Sequence, residues 1–241
     1  MRIVNYKTAG LTSDKVNMVV DEQYEFFNPK FGASYSLNQG NQLYLSYGRA
    51  SREPRRSDFE QGVFTPEILD DYELGWRFTG ENNTLSANLY YMDYKDQLVL
   101  TGQLDDSGGF IRETSGKSYR AGLEVEGDFR VLQQLHVRPN IALSSNKNKD
   151  YTTSRDGELV NLGTTNISFS PSFIAGNSID YSPTQNLQIA LLSKYVGEQY
   201  LGNIDSQTSK LDAYFLNDFS VNYTITNLSF AKSLVLQGLV N

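Results

Sequence analysis

An all-β fold of antiparallel strands is predicted for this chain of 241 residues by three observations. Apolar side chains recur at every second position, not at the three-and-four spacing of a helix. Most of the segments carrying this alternation match the about 9 to 11 residues of a tilted membrane strand, whereas globular strands usually have about five or six. The connections between them alternate strictly between tight turns and long loops. Composition agrees, with 16 Tyr, 13 Phe and 19 Gly, residues suited to pleated sheets and to turns.

Ten segments follow one another: Tyr24 to Ser36, Gln42 to Ser51, Asp71 to Thr79, Thr84 to Tyr94, Ser118 to Arg130, Leu135 to Ser145, Thr165 to Tyr181, Leu187 to Glu198, Tyr214 to Thr226 and Lys232 to Val240. Residues 1–23 read as an external loop or strand end before the first of them. Tight turns are expected at LNQG, TGENN, PTQN and the stretches around LQQ and NLSF. Long loops are expected over Arg52 to Asp70, Lys95 to Lys117, Asn146 to Thr164 and Gln199 to Ala213. A single-chain outer-membrane barrel has short turns at one rim and long loops at the other, so its topology produces this rhythm. A Greek-key sandwich has no such requirement.

The two faces of each strand differ. In Thr84 to Tyr94, Leu85, Ala87, Leu89 and Tyr91 fall on one side, and Ser86, Asn88, Tyr90 and Met92 on the other. Tyr119, Ala121, Leu123 and Val125 oppose Arg120, Gly122, Glu124 and Glu126 in the same way. Val137, Pro139 and Ile141 oppose His136, Arg138 and Asn140, and Ile167, Phe169 and Phe173 oppose Asn166, Ser168 and Ser170. Such strands suit a sandwich with an oily interior, or a barrel with lipid outside and a polar lumen. Aromatic residues near segment ends, among them Tyr47, Tyr72, Trp76, Tyr119, Phe129 and Tyr181, favour the barrel, because amphipathic rings sit well at membrane–water interfaces. On this reading Leu85, Leu89, Leu123, Val125, Ile141 and Phe169 face lipid, while Glu73, Arg77, Asn88, Arg120, Glu124, Glu126 and Arg138 face the lumen.

Several function classes are disfavoured. Net charge is −7 with a pI near 4.8, and no basic run exceeds Arg55-Arg56, so the footprint of a nucleic-acid partner is absent. Without cysteine there is no disulfide framework, thiolate nucleophile or cysteine zinc site. Apolar runs such as Leu98 to Leu100 fall far short of the about 20 residues of a spanning helix. No apolar h-region follows Met1, so a signal peptide is not expected at this end.

Specific stretches resemble the TonB-dependent outer-membrane receptors, in particular those of Bacteroidetes-type bacteria. SYGRASREPRRSDFEQG resembles the family's aromatic strand followed by an Arg- and Pro-containing segment. TPEILDDYELGW resembles its Pro-Glu then Tyr-Glu-x-Gly pattern, here Pro66, Glu67, Tyr72, Glu73 and Gly75. NLYYMDYKDQLVL and YRAGLEVEG resemble the following strands, the latter through Gly122 and Glu124, and LVLQGLVN resembles the penultimate one. The resemblance runs from about Tyr24 onward and implies residues 24–241 to be about ten strands of a 22-stranded plugged barrel. Plug domain, TonB-contacting segment and final strand are expected to lie outside this chain. If the turn after Ser36 is periplasmic, the last strand runs outward, as a penultimate strand should.

The resemblance implies a receptor in the outer membrane of a Gram-negative bacterium that takes up a scarce nutrient: a siderophore-iron complex, cobalamin or an oligosaccharide. Its partners would be outer-membrane lipid, its own plug, TonB and a small ligand. No enzymatic activity, cofactor or metal site is expected. His136 is the single imidazole and reads as a lumen or rim residue. Glu124, Glu126 and Asp128 read as a hydrated wall facing Arg120 and Arg138. Asp105 to Gly109 is oxygen-rich but lacks calcium-loop spacing, and reads as an external loop tip. Arg52, Arg55 and Arg56 are candidates to face an anionic ligand or the plug. Two rivals predict differently: a complete ten-stranded passive barrel would pair its first and last strands, and a soluble binding module would bury Leu85, Leu89, Leu123 and Val125 under a second sheet.

Overall fold

The computed structural model describes residues 1–12, 15–104, 108–155, 158–226 and 228–241. In chain order, β1 (Arg2–Leu11) and β2 (Asn17–Phe26) form a hairpin; β3 (Lys30–Asn38) and β4 (Asn41–Arg52) lead to a one-turn helix α1 (Arg56–Glu60). Then come β5 (Glu67–Thr79), β6 (Asn83–Lys95), a hairpin of β7 (Leu98–Leu104) and β8 (Phe110–Thr114), β9 (Lys117–Leu132) and β10 (Leu135–Lys149). A hairpin of β11 (Thr152–Arg155) and β12 (Glu158–Asn161) precedes the short β13 (Thr165–Asn166), β14 (Phe173–Thr184) and β15 (Leu187–Val196). The two-residue strands β16 (Gln199–Tyr200) and β17 (Lys210–Leu211) pair before β18 (Tyr214–Thr226) and β19 (Ser233–Val240).

Ten of these strands make one antiparallel sheet in the order β19-β18-β15-β14-β10-β9-β6-β5-β4-β3, with β13 added beside β10. Each strand thus lies next to its predecessor among the ten, as the rhythm of short turns and long loops requires. Short turns are closed by polar side chains: Asn38 Oδ1 accepts from Gly40 N at 3.0 Å and Asn41 Nδ2 at 2.9 Å. Thr184 Oγ1 likewise accepts from Asn186 N and Leu187 N. Three register shifts, at Ser36/Asn38, Leu135/His136 and Tyr181/Thr184, sit at this short-turn end, where bulges bend a barrel rim.

Register segregates the faces. Leu74 pairs Leu89, Leu89 pairs Leu123, Leu123 pairs Leu143 and Leu143 pairs Phe173, making an apolar row across five strands. One step along, Gly75 pairs Asn88, Asn88 pairs Glu124, and Glu124 pairs Ala142 on the other face. The apolar row is not covered: Leu74 is 51%, Leu89 53% and Leu143 49% exposed. Among the described residues no second sheet lies over it, against what the soluble-module rival predicts. Strands β3 and β19 have no pairing with each other, which removes the closed ten-stranded rival. On β15, β18 and β19 the polar face also carries Leu192, Leu216 and Leu239, so segregation is sharpest from β5 to β10.

Aromatic side chains bound the apolar band. Toward the long connections, Tyr47, Tyr72, Tyr91 and Tyr119 form a ladder across four strands, with ring centroids 5.0, 6.5 and 6.0 Å apart. Toward the short turns, Trp76 stacks on Phe78 at 6.5 Å, and its indole N–H donates to Asn41 at 3.1 Å. In β9 ten residues separate Tyr119 from Phe129; at about 3.4 Å per residue and a tilt of about 40° they span about 26 Å, near the about 25 Å apolar band of such barrels.

Two expected strands are interrupted. Tyr24 to Ser36 splits at Phe27, Asn28 and Pro29: Tyr24 and Phe26 belong to the β1–β2 hairpin, since Pro29 offers no N–H to a ladder. Residues 1–23 are therefore mostly hairpin rather than loop. Its Met18, Val20, Tyr24 and Phe26 pack with Phe59 of α1 into a small buried apolar cluster. Thr165 to Tyr181 breaks between β13 and β14, where Phe169 has φ +50° and Pro171 cannot donate. Phe169 consequently leaves the apolar face and lines a hollow with Asn88, Arg120 and Glu124, correcting its expected lipid-facing position. Leu85, Leu123 and Val125 do share the face of Leu89 and Ile141. Of the loop tip expected at Asp105 to Gly109, Asp105 to Ser107 lie outside the described residues.

Where the apolar face meets the hydrocarbon midplane, Leu89→Arg is expected to cost about 2–4 kcal/mol, while Asn88→Arg is tolerated beside Glu124. Urea unfolding from lipid vesicles measures both; equal costs would contradict the face assignment.

Candidate ligand-facing wall and rim

Glu73, Arg77, Asn88, Arg120, Glu124, Glu126 and Arg138 all project from the polar face. They line three open hollows that follow one another along it, one of about 330 Å³ holding Glu73, Asn88, Arg120 and Glu124. Ser46 donates to Glu73 at 3.1 Å and Ser86 to Glu126 at 2.9 Å. Arg120 donates to Ser170 at 2.8 Å. Nearer the short turns, Arg138 bridges Asp128 at 3.1 Å and Asp180 at 2.5 Å. His136 Nδ1 stands 3.5 Å from Asp128, in the same group. The wall therefore offers fixed charges and hydrogen-bonding groups. Among the described residues no group of three or more His, Cys, Asp or Glu is arranged to hold a metal ion.

Two tyrosines explain two glycines. Tyr44 lies across Gly75 of the neighbouring strand, and Tyr90 across Gly122. A Cβ at Gly122 would meet the Tyr90 hydroxyl at 2.6 Å and the Leu143 carbonyl at 2.5 Å. Large rings can thus lie flat on the wall only because the opposing residue has no side chain.

Arg52, Arg55 and Arg56 are not gathered into one anion site. Arg52 pairs with Glu67 at 3.3 Å; Arg56 pairs with Glu60 at 2.9 Å and donates to the Leu11 carbonyl at 3.0 Å. Arg55 caps α1, where its backbone N–H donates to the buried Asp58 carboxylate at 2.9 Å, and its side chain is exposed. Two of the three guanidinium groups thus tie the segment after β4 to its surroundings.

The rim beyond the long strand ends is instead built from residues the alternation did not single out. Asn203, 1% exposed, donates to the Leu100 carbonyl at 2.7 Å and accepts from Ser168 N at 2.9 Å and Asn148 Nδ2 at 3.4 Å. Ser168 Oγ also donates to Leu100 O, at 3.1 Å, and Asp205 accepts from the backbone and side chain of Asn166. Arg112 on β8 reaches Asp58 of α1 at 3.6 Å, and Glu67 accepts from Leu98 N at 2.8 Å. The Tyr151 hydroxyl donates to Glu113. Burial first, and the Glu113 carboxylate second, raise its pKa above the ordinary value of 10.0. Four connections, from α1 to β17, are stitched together by buried polar contacts. Sequence carried one signal: period two continues past Ser145 with Asn146 and Asn148 at the inward positions.

Asn203→Ala should leave the buried Ser168 N–H without its acceptor, while Leu100 O keeps Ser168 Oγ, at a cost of about 1–3 kcal/mol, read as faster hydrogen exchange and proteolysis confined to the rim. Because the folded Tyr151 pKa is raised, its contribution is complete below pH about 10 and fades above it; Tyr151→Phe should remove that alkaline loosening.

Comparison with known proteins follows this geometry. The chain is 25% identical over 189 residues to the ferrioxamine receptor of Yersinia enterocolitica, an alignment covering 78% of this chain and 25% of that protein. It is 31% identical over 114 residues to the ferric-pyoverdine 358 receptor of Pseudomonas putida, covering 45% of this chain and 14% of that one. The siderophore receptor PiuA from Acinetobacter baumannii superposes with a TM-score of 0.70 at 15% identity, over 94% of this chain and 33% of the receptor. The ferric yersiniabactin uptake receptor FyuA from Yersinia pestis gives 0.65 at 18%, over 95% and 38%. The chain thus spans a quarter or less of the two receptors aligned by sequence, and about a third of the two superposed structures. Residues 2–241 match the family model described as TonB dependent receptor-like, beta-barrel, and the chain belongs to that family.

Proposed function

We propose that this chain forms part of the barrel wall and outer rim of an outer-membrane receptor for ferric siderophore complexes. The observation that carries the reading is the single sheet with an uncovered apolar band between two aromatic belts, a charged opposite face, and a stitched rim at one end only. An uncovered apolar band suits hydrocarbon, and a charged opposite face suits a hydrated lumen. The relatives named for ferrioxamine and ferric pyoverdine favour siderophore iron over cobalamin or an oligosaccharide as cargo.

In this reading the long connections face the exterior and hold the rim in one arrangement before cargo arrives, which lowers the ordering cost of capture. The glutamates and arginines of the wall face a plug domain inside the barrel, and TonB supplies the energy that moves that plug. Strands β3 and β19, each exposed along its whole length, pair with further strands of the same wall. No bond of the cargo is made or broken, so the receptor is not an enzyme.

The test is growth of an iron-starved Gram-negative host, lacking its own siderophore receptors, that expresses the natural protein. Ferrioxamine- or pyoverdine-type iron complexes should restore growth only when TonB is intact. Rescue without TonB, or transport of cobalamin or an oligosaccharide alone, would contradict the assignment.

A further inference from the structure

The apolar face carries a second organised feature just beyond the tyrosine ladder. Lys95 of β6 pairs directly with Lys117 of β9, and Lys117 pairs directly with Lys149 of β10. Opposed side chains on neighbouring strands have Cβ atoms about 4.5–5.5 Å apart, and like charges so placed repel. Among the described residues neither Lys95 nor Lys117 has an ion-pair partner, and both are exposed. Lys149 lies over the Tyr119 ring at 5.1 Å and reaches Asp93 only at 3.9 Å. The nearby Asp70 is already held by Arg49 in a bidentate pair at 2.8 and 2.7 Å, and Lys147 donates to Asn166 at 2.6 Å. A chain of net charge −7 therefore concentrates three cations in one row, and among the described residues only Lys149 has an ion-pair partner there.

The position of that row selects the partner. Lys117 stands two residues beyond Tyr119 on the same face, so in the receptor reading, on which this inference rests, it lies at headgroup depth in the outer leaflet. The side chains project away from the lumen, out of reach of cargo or plug. We propose that Lys95, Lys117 and Lys149 bind the phosphate groups of an outer-leaflet glycolipid, lipopolysaccharide in a Gram-negative bacterium. Phosphate relieves the lysine repulsion, and the tyrosines below accommodate the start of the acyl region.

The test isolates the natural protein from outer membranes, unaltered and as Lys95→Gln/Lys117→Gln/Lys149→Gln, and measures the glycolipid that co-purifies. The triple variant should retain roughly tenfold less phosphorylated glycolipid, while Lys→Arg at the same three positions and Lys194→Gln on the polar face retain it fully. Enzymatic removal of the lipid phosphates should abolish the preference of the unaltered protein, and inorganic phosphate should not displace the lipid. Equal retention of phosphorylated and dephosphorylated lipid by the unaltered protein overturns the site, even if the glutamine variant does not assemble. Displacement by inorganic phosphate overturns the lipid source. Absence of the protein from the outer membrane would instead overturn the receptor reading, and this site with it.

Discussion

Because side chains alternate strictly along a strand, a one-residue slip in pairing would carry Leu123 to the face of Glu124 and Glu124 to the face of Leu123. The register of the sheet is therefore what keeps the apolar and the charged faces apart. Leu89 opposite Leu123 and Leu123 opposite Leu143 hold one side, and Asn88 opposite Glu124 holds the other. The polar wall has its own locks: Tyr90 fits over Gly122, and Tyr44 over Gly75, only in this alignment. The same alignment brings four tyrosines into a continuous ladder and three lysines into a row above it. Slip any one strand and the belt, the wall and the lysine row would all be broken at that strand.

At the rim a different interaction takes over. Beyond the aromatic ladder the side chains are no longer sorted into an apolar and a charged face, and order comes from buried polar groups bonding to one another. Asn203, Asn148, Ser118 and Ser168 are almost wholly buried, yet each has a hydrogen-bond partner on another connection or strand. Leaving such a group unpaired is expensive, so the network specifies one arrangement of the connections rather than many. In the proposed receptor, each connection already ordered in this way is one that cargo need not order.

Much of this was legible in the sequence because period two is a strong signal over strands of ten or more residues. Thr84 to Tyr94 and Tyr214 to Thr226 were readable nearly to their ends, and β10 only ran four residues beyond Ser145. The failures share a cause. Phe169 keeps the alternation of its neighbours, but Pro171 and a left-handed backbone turn it out of the strand, and periodicity cannot register a turn whose residues happen to stay in phase. The hairpins β7–β8 and β11–β12 carry no such signal, because their pairing is local and their faces are not sorted into apolar and polar. Arg52 and Arg56 looked available as a basic cluster, but their partners Glu67 and Glu60 lie 15 and 4 residues away, and only folding brings Glu67 within reach. Loop chemistry of this kind depends on which connections touch, and that follows from strand order rather than from composition.

The absence of cysteine from these 241 residues makes the central claim directly measurable. Single cysteines placed at each position from Tyr119 to Phe129 of β9, in the natural protein reconstituted into vesicles, can be probed with a water-soluble thiol reagent and a lipid-soluble quencher. Even-numbered positions should react with the aqueous reagent, and odd-numbered ones should be reached only from the bilayer, in strict alternation. Uniform reactivity along β9, or protection of the odd positions from both probes, would contradict a wall that separates lipid from a hydrated lumen.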